Sequence, residues 1–186
     1  RSWFTLSSSP TEPLLAITTR QTSGGSTFKK ALWALQPGAQ LHMSQALGDF
    51  VLPRDTTIPL ICIAAGIGAT PFRSMLQWLH DTGEQRQIQI IHQVTNPSQR
   101  LFYEVFHKHN RLVQYPLAPT KSAARSTTQE LSSATISQYL EHLDPSTLFY
   151  VSGPEPFVVG LQSDLLSNRD RLSFSDVVTD AFLGYH

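Results

Sequence analysis

Residues 59–65, PLICIAA, carry no charged, amide or hydroxyl side chain. A strand with one wet face alternates apolar and polar positions, so an unbroken run fits a strand covered on both faces. The run ends in Gly66-Ile67-Gly68-Ala69-Thr70-Pro71. Glycine lets the backbone turn tightly and leaves room for close approach. Proline suits the first turn of a helix, where an amide hydrogen has no helical partner. The turn therefore reads in two ways. It is a cradle of free amides for a diphosphate, or an ordinary strand-to-helix connection punctuated by Gly and Pro.

The rest of the chain continues the alternation. Phe72, Met75, Leu76 and Leu79 predict a helix over 71–80 with one apolar face. A strand over 88–92, a helix near 98–108 and a strand over 112–115 follow. A polar loop at 117–133 leads to a helix over 134–143, a strand over 147–152 and a helix over 155–167. Strand–helix repeats of this kind imply a parallel sheet with helices on both faces, occupying residues 58–186. Residues 1–54 read differently. Segments 3–7 and 14–20 flank the turn SSSPTEP as a β-hairpin, and a short helix carries Phe28, Ala31, Leu32 and Leu35. One or two short strands are expected within 40–52, and PRDTTIP joins the two parts.

Composition excludes several function classes. The 186 residues carry 14 basic and 14 acidic side chains, so no basic stripe argues for nucleic acid. No apolar run is long enough for a membrane-spanning helix. The one cysteine, Cys62, excludes an internal disulfide framework and a cysteine-ligated metal within this chain. A cytoplasmic setting is compatible with it. The seven histidines make no metal set, since His107 and His109 lie two apart on a predicted helix and point to different sides. No GxSxG, HExxH or Walker motif is present.

Six pieces stand in the order of one family: WFTLSSSP, GGSTFKKAL, GDFVLP, AAGIGATPFRSML, YVSGPEPFV and DAFLGY. On these the chain resembles the ferredoxin–NADP reductase-like flavoproteins, which join an FAD-binding β-barrel to a nicotinamide-nucleotide-binding α/β domain. The resemblance implies a fold: an α/β nucleotide-binding domain (58–186) preceded by the C-terminal part of an antiparallel β-barrel (1–54). It implies hydride transfer from NAD(P)H to FAD, with electrons passed on to an acceptor protein or domain. A non-catalytic electron-transfer or regulatory module that keeps the fold is the alternative. NAD versus NADP stays open, because Arg100 alone is basic after the strand at 88–92.

The resemblance also implies roles for single residues. Phe4 falls where an aromatic ring packs on the flavin, and Thr5 where a hydroxyl meets flavin N5. The family arginine would fall at Ser2 and is displaced here to Arg1, beside the FAD diphosphate. Thr19 and Arg20 correspond to contacts with the ribityl and phosphate groups. Gly25, Ser26 and Thr27 resemble a phosphate cradle, though an ordinary capped helix has the same letters. Gly66, Gly68, Thr70 and Pro71 resemble the NAD(P)H diphosphate loop; the more common dinucleotide fingerprint has Gly or Ala where Pro71 stands. Ser152, Gly153 and Pro154 resemble the Cys-Gly-Pro motif beside the nicotinamide, with a hydroxyl replacing the thiol. Tyr185 falls where an aromatic covers the outer face of the flavin. Thr5 and Ser152 are the catalytic candidates.

A six-stranded barrel needs on the order of 90–100 residues. The first barrel strands, about 40 residues, are accordingly expected to be absent, leaving exposed strand edges and weak hold on FAD.

Overall fold

The computed structural model describes residues 2–21, 26–108, 112–114, 116, 131–139, 144–168 and 172–182. Arg1, Gly25, Tyr185 and most of the polar loop at 117–133 lie outside them, as do residues 140–143 at the end of the predicted fourth helix.

β1 (Leu60–Ala65) is the centre of a five-stranded parallel sheet. It pairs on one side with β2 (Ile88–Gln93), which pairs with β3 (Leu112–Gln114). On the other side it pairs with β4 (Leu148–Pro154), which pairs with β5 (Val177–Phe182). The unbroken apolar run is explained by what lies on each side of it. Leu60, Cys62 and Ala64 point to a cluster with Phe72, Leu76 and Leu79 of α2 (Thr70–Thr82) and Phe106 of α3 (Tyr103–Lys108). Ile61 and Ile63 point the other way, to Ile136 of α4 (Ser133–Tyr139) and to Val158, Leu161 and Leu165 of α5 (Glu155–Asn168). Period-two side-chain alternation thus buries both faces of one strand. No helix among the described residues is long and apolar enough to cross a membrane.

Several expectations are corrected. The helix expected near 98–108 is broken: Pro97–Gln99 form a 3-10 turn, Phe102 takes a positive φ of 57°, and α3 begins only at Tyr103. β5 was not foreseen as a strand at all. In the N-terminal part, the hairpin of 3–7 and 14–20 is reduced to one antiparallel bridge, Leu6 to Ile17. The Ser7 amide donates to the Ala16 carbonyl (2.8 Å), and the Ala16 amide donates to Ser8 Oγ (2.9 Å). The short helix forms as expected, α1 (Thr27–Ala34), with the Ser26 hydroxyl accepting from the Lys29 amide. It buries no residue. No strand forms in 40–52. A strand needs a neighbour for its backbone groups and its apolar face. Over 40–49 none of the described residues supplies one, and Leu41, Met43 and Leu47 stand exposed.

The segment after them is firmly seated. The Phe50 ring lies 5.8 Å from Phe72 and 5.2 Å from Tyr150, and the Tyr150 hydroxyl donates to the Val51 carbonyl (2.7 Å). The buried Arg86 guanidinium donates to the carbonyls of Pro53 (2.7 Å) and Asp55 (2.9 Å) and pairs with Glu84. The connecting segment is thereby held against the strand entrance of the sheet.

Candidate functional site

In an open parallel sheet, ligands bind beyond the carboxyl ends of the strands where the strand order reverses. Here that point lies between β1 and β4, because the chain leaves β1 for β2 on one side and returns to β4 on the other. Two sequence motifs far apart in the chain, those of Gly68 and Ser152, meet there. Gly66–Ala69 form a 3-10 turn that runs directly into α2, with Pro71 in its first turn. A Cβ on Gly68 would lie 2.1 Å from the Ser152 carbonyl oxygen and 2.8 Å from Gly153 Cα. The turn rests backbone to backbone on the end of β4, and only glycine permits that. Gly66 has a φ of +52° and nothing within 4 Å of where its Cβ would be, so this side of the turn is open.

Two further bonds hold the turn. The Thr70 hydroxyl donates to the Ile67 carbonyl (2.7 Å), and Thr70 and Pro71 are buried. These side chains shape the turn from inside, so what it offers a ligand is backbone. On β2, His92 is fully buried and its Nε2–H donates to the Gly66 carbonyl (2.8 Å). Burial lowers the pKa of this imidazole, with the Gly66 bond opposing the shift. His92 was not among the sequence candidates.

The catalytic candidates come together through a third residue. The Thr5 hydroxyl donates to Asp180 Oδ2 (3.2 Å) across 175 positions of chain. Asp180 lies on β5 directly opposite Ser152 on β4. Burial raises the Asp180 pKa, while the hydroxyls of Thr5 and Ser152 pull it the other way. Ser152 is 0 % exposed, and its Oγ lies near that carboxyl without meeting any group at hydrogen-bond geometry. Gly153 follows in an extended conformation at φ +157°, packed near Ala65 and Phe157, and Pro154 is exposed. Sequence reading passed over Asp180, although it opens the quoted segment DAFLGY. A carboxylate on an alternating strand was the available signal.

Phe4 points away from Thr5, as successive residues of an extended chain do. Its ring lies 5.8 Å from Phe28, on the first turn of α1, beside Ser26 and Thr27. Phe4 therefore links the start of α1 to the segment that carries Thr5. Thr19 is half-buried and Arg20 exposed in extended chain, and no described contact brings them to this cluster. Arg1, Gly25 and Tyr185 fall outside the described residues.

The sequence model of the oxidoreductase NAD-binding domain matches residues 62–163, from β1 into α5. The chain belongs to the oxidoreductase NAD-binding domain family. This NAD-binding domain is similar to the flavohemoprotein of Bacillus anthracis, 29% identical over 132 residues, covering 67% of the chain and 33% of that protein. It is 25% identical to the glycine betaine monooxygenase reductase subunit of Chromohalobacter salexigens over 178 residues, covering 89% of the chain and 47% of that protein. The chain thus spans between a third and a half of the length of these relatives. In fold it matches the flavohemoglobin of Malassezia yamatoensis, solved with bound FAD and heme, at a TM-score of 0.75, 20% identity, 96% of this chain and 46% of that one.

Proposed function

We propose that this chain is an NAD(P)H-dependent flavin oxidoreductase that takes a hydride from NAD(P)H onto FAD and passes electrons to an acceptor protein or domain. The observation that carries the reading is the meeting of Thr5, Asp180 and Ser152 beside the glycine turn. The family membership and the fold shared with an FAD-containing flavohemoglobin support it.

The residues fit both cofactors. The open side of Gly66 and the N-terminus of α2 suit a diphosphate, through backbone amides and the helix dipole. The buried Ser152 Oγ, near Asp180 but meeting no group at full hydrogen-bond geometry, suits the carboxamide of a nicotinamide. Phe4 and Thr5 would border the flavin, and the first turn of α1, at Ser26 and Thr27, would hold its phosphates. We assign residues 1–54 to the flavin side and 58–186 to the nicotinamide side. When bound, the two cofactors supply the hydride donor and acceptor.

The chain's own groups then have separable tasks. Gly68 seats the turn against β4, and His92 fixes the Gly66 carbonyl. Ser152 orients a ring in a site screened from water. Thr5 keeps its hydroxyl at the flavin edge by leaning on Asp180. Asp180 Oδ2 accepts from Thr5 Oγ1 and so fixes the direction of that hydroxyl, and burial raises the pKa of the carboxyl that does so. The names of the relatives point to a heme-bearing domain or a monooxygenase as the kind of acceptor. A reducing, cytoplasmic setting suits the buried Cys62 thiol.

Anaerobic stopped-flow mixing of the FAD-reconstituted protein with NADH, and separately with NADPH, tests the reading. Loss of the flavin absorbance bands with at least one of them is expected. A protein that takes up FAD and is bleached by neither is no reductase, and the non-catalytic alternative stands instead.

A further inference from the structure

Ser7, Ser8 and Ser9 are buried in a part of the chain that is otherwise largely exposed. What covers them is α2. Arg73 Nη1 donates to the Ser7 carbonyl (3.0 Å), and the same guanidinium grips both carboxylate oxygens of Glu12, with Nη2 to Oε1 at 2.8 Å. The Ser74 hydroxyl donates to the Ser8 carbonyl (2.7 Å). The Thr11 hydroxyl donates to Asp81 Oδ2 (2.6 Å), and the Gln77 amide donates to Asp81 Oδ1 (2.8 Å). Glu12 is braced in turn by the Ser9 amide (2.6 Å).

Residues 73, 77 and 81 recur at helical spacing, so one stripe of α2 is given over to the turn between the first two N-terminal segments. No part of that stripe touches the cluster of Thr5, Asp180 and Ser152. Its position along the chain gives it a purpose. Arg73 stands two residues beyond Pro71, at the mouth of the glycine turn. Ser7 stands two residues beyond Thr5. The bond between them is a short mechanical path from the NAD(P)H side to the flavin side. The Arg73–Glu12 contact that braces it is two-pronged and charge-assisted, the geometry in which an arginine is most directional.

We propose that Arg73 and Glu12 form a positioning pair that fixes Thr5 relative to the glycine turn, and thereby the approach of the nicotinamide to the flavin. The inference rests on the reductase reading for its consequence, because hydride transfer loses on the order of 100-fold for a misplacement of about 1 Å. Neither residue touches a cofactor or the reacting atoms; both act through the backbone that carries them.

The test uses Arg73→Met, Glu12→Gln, the conservative Arg73→Lys, and the exchanged pair Glu12→Arg with Arg73→Glu, each with FAD. Under the inference, Arg73→Met lowers the limiting rate of flavin bleaching at saturating NAD(P)H by about 10- to 100-fold. FAD content and NAD(P)H affinity stay within about twofold of the parent, well inside that change. Arg73→Lys and the exchanged pair recover part of the rate. Hydrogen exchange is read alongside, and Arg73→Met should speed amide exchange both at residues 6–9 and in the glycine turn. A limiting rate equal to the parent's despite a lowered Tm overturns the inference, leaving only a brace. So does faster exchange at 6–9 with an unaltered glycine turn. If Arg73→Met fails to fold, Glu12→Gln, in the turn, carries the same expectations. A parent that is not bleached at all defeats the reductase reading, while the exchange experiment still decides the coupling.

Discussion

Two neighbouring segments of this chain use similar apolar residues to opposite effect. In β1, Leu60 through Ala64 are buried to within a few per cent of completely, whereas Leu47, thirteen positions earlier than Leu60, is 67 % exposed. Hydrophobicity alone did not decide this difference. β1 has strands on both edges and helices on both faces, so its backbone groups and its side chains are satisfied together. Segment 40–49 has neither kind of neighbour among the described residues. Apolar patterning makes a strand only where another element stands ready to receive it.

Core truncation offers the largest test of this contrast. Phe72 is fully buried between β1 and α3, and Phe72→Ala should cost about 3–5 kcal/mol in denaturant unfolding. It also undermines the helix that begins at the glycine turn. Loss below about 1 kcal/mol would mean the core is far looser than its packing indicates. Next in size is Gly68→Ala. The added methyl would run into the Ser152 carbonyl, a backbone atom that cannot swing aside. Overpacking of this kind costs about 1–3 kcal/mol, and separation of the turn from β4 should weaken NAD(P)H binding more than FAD binding. Gly68→Ala with parental nucleotide affinity by titration would remove the glycine turn from the site.

The sequence was informative where structure is local and less so where it is not. β1, the glycine turn, α2, β2, β4 and α5 are visible because periodicity, Gly and Pro lie within a few residues of what they shape. β5 has one buried residue, Val177, and alternates half-buried with exposed positions, as an edge strand does, so VVTDAF resembles a polar tail. The contact of Thr5 with Asp180 spans nearly the whole chain, and no local pattern announces it. The same holds for Arg73 and Glu12, 61 positions apart. The strands expected in 40–52 failed for the converse reason: their pattern was local, but what would complete them is not.

Asp180→Asn sharpens the comparison from the functional side. A carboxyl with a raised folded pKa contributes stability below its unfolded pKa, and loses it as pH rises through the folded value. At neutral pH the half-buried carboxylate is therefore a cost. Asn keeps an oxygen for the Thr5 hydroxyl but carries no charge. The variant should match the parent near pH 4 and be the more stable of the two near pH 7 by thermal unfolding, while its flavin reduction falls by roughly 100-fold, the lower end of the range for a lost general acid or base. Equal stability at both pH values would show that the carboxyl is solvated. Parental reduction rates would deprive it of a chemical role.

The smallest expected effect bears most directly on the N-terminal half. Leu47→Ala removes an exposed side chain with no described apolar neighbour, so the change in unfolding free energy should stay within about 0.5 kcal/mol. Substitution of a buried leucine costs about 2–5 kcal/mol. Because these ranges do not overlap, the measurement discriminates cleanly. A cost in the upper range would mean that Leu47 is covered in the folded protein, and that 40–49 belongs to a second core rather than to an open flank. The contrast with β1 would then be one of which partner each segment finds, rather than whether it finds one.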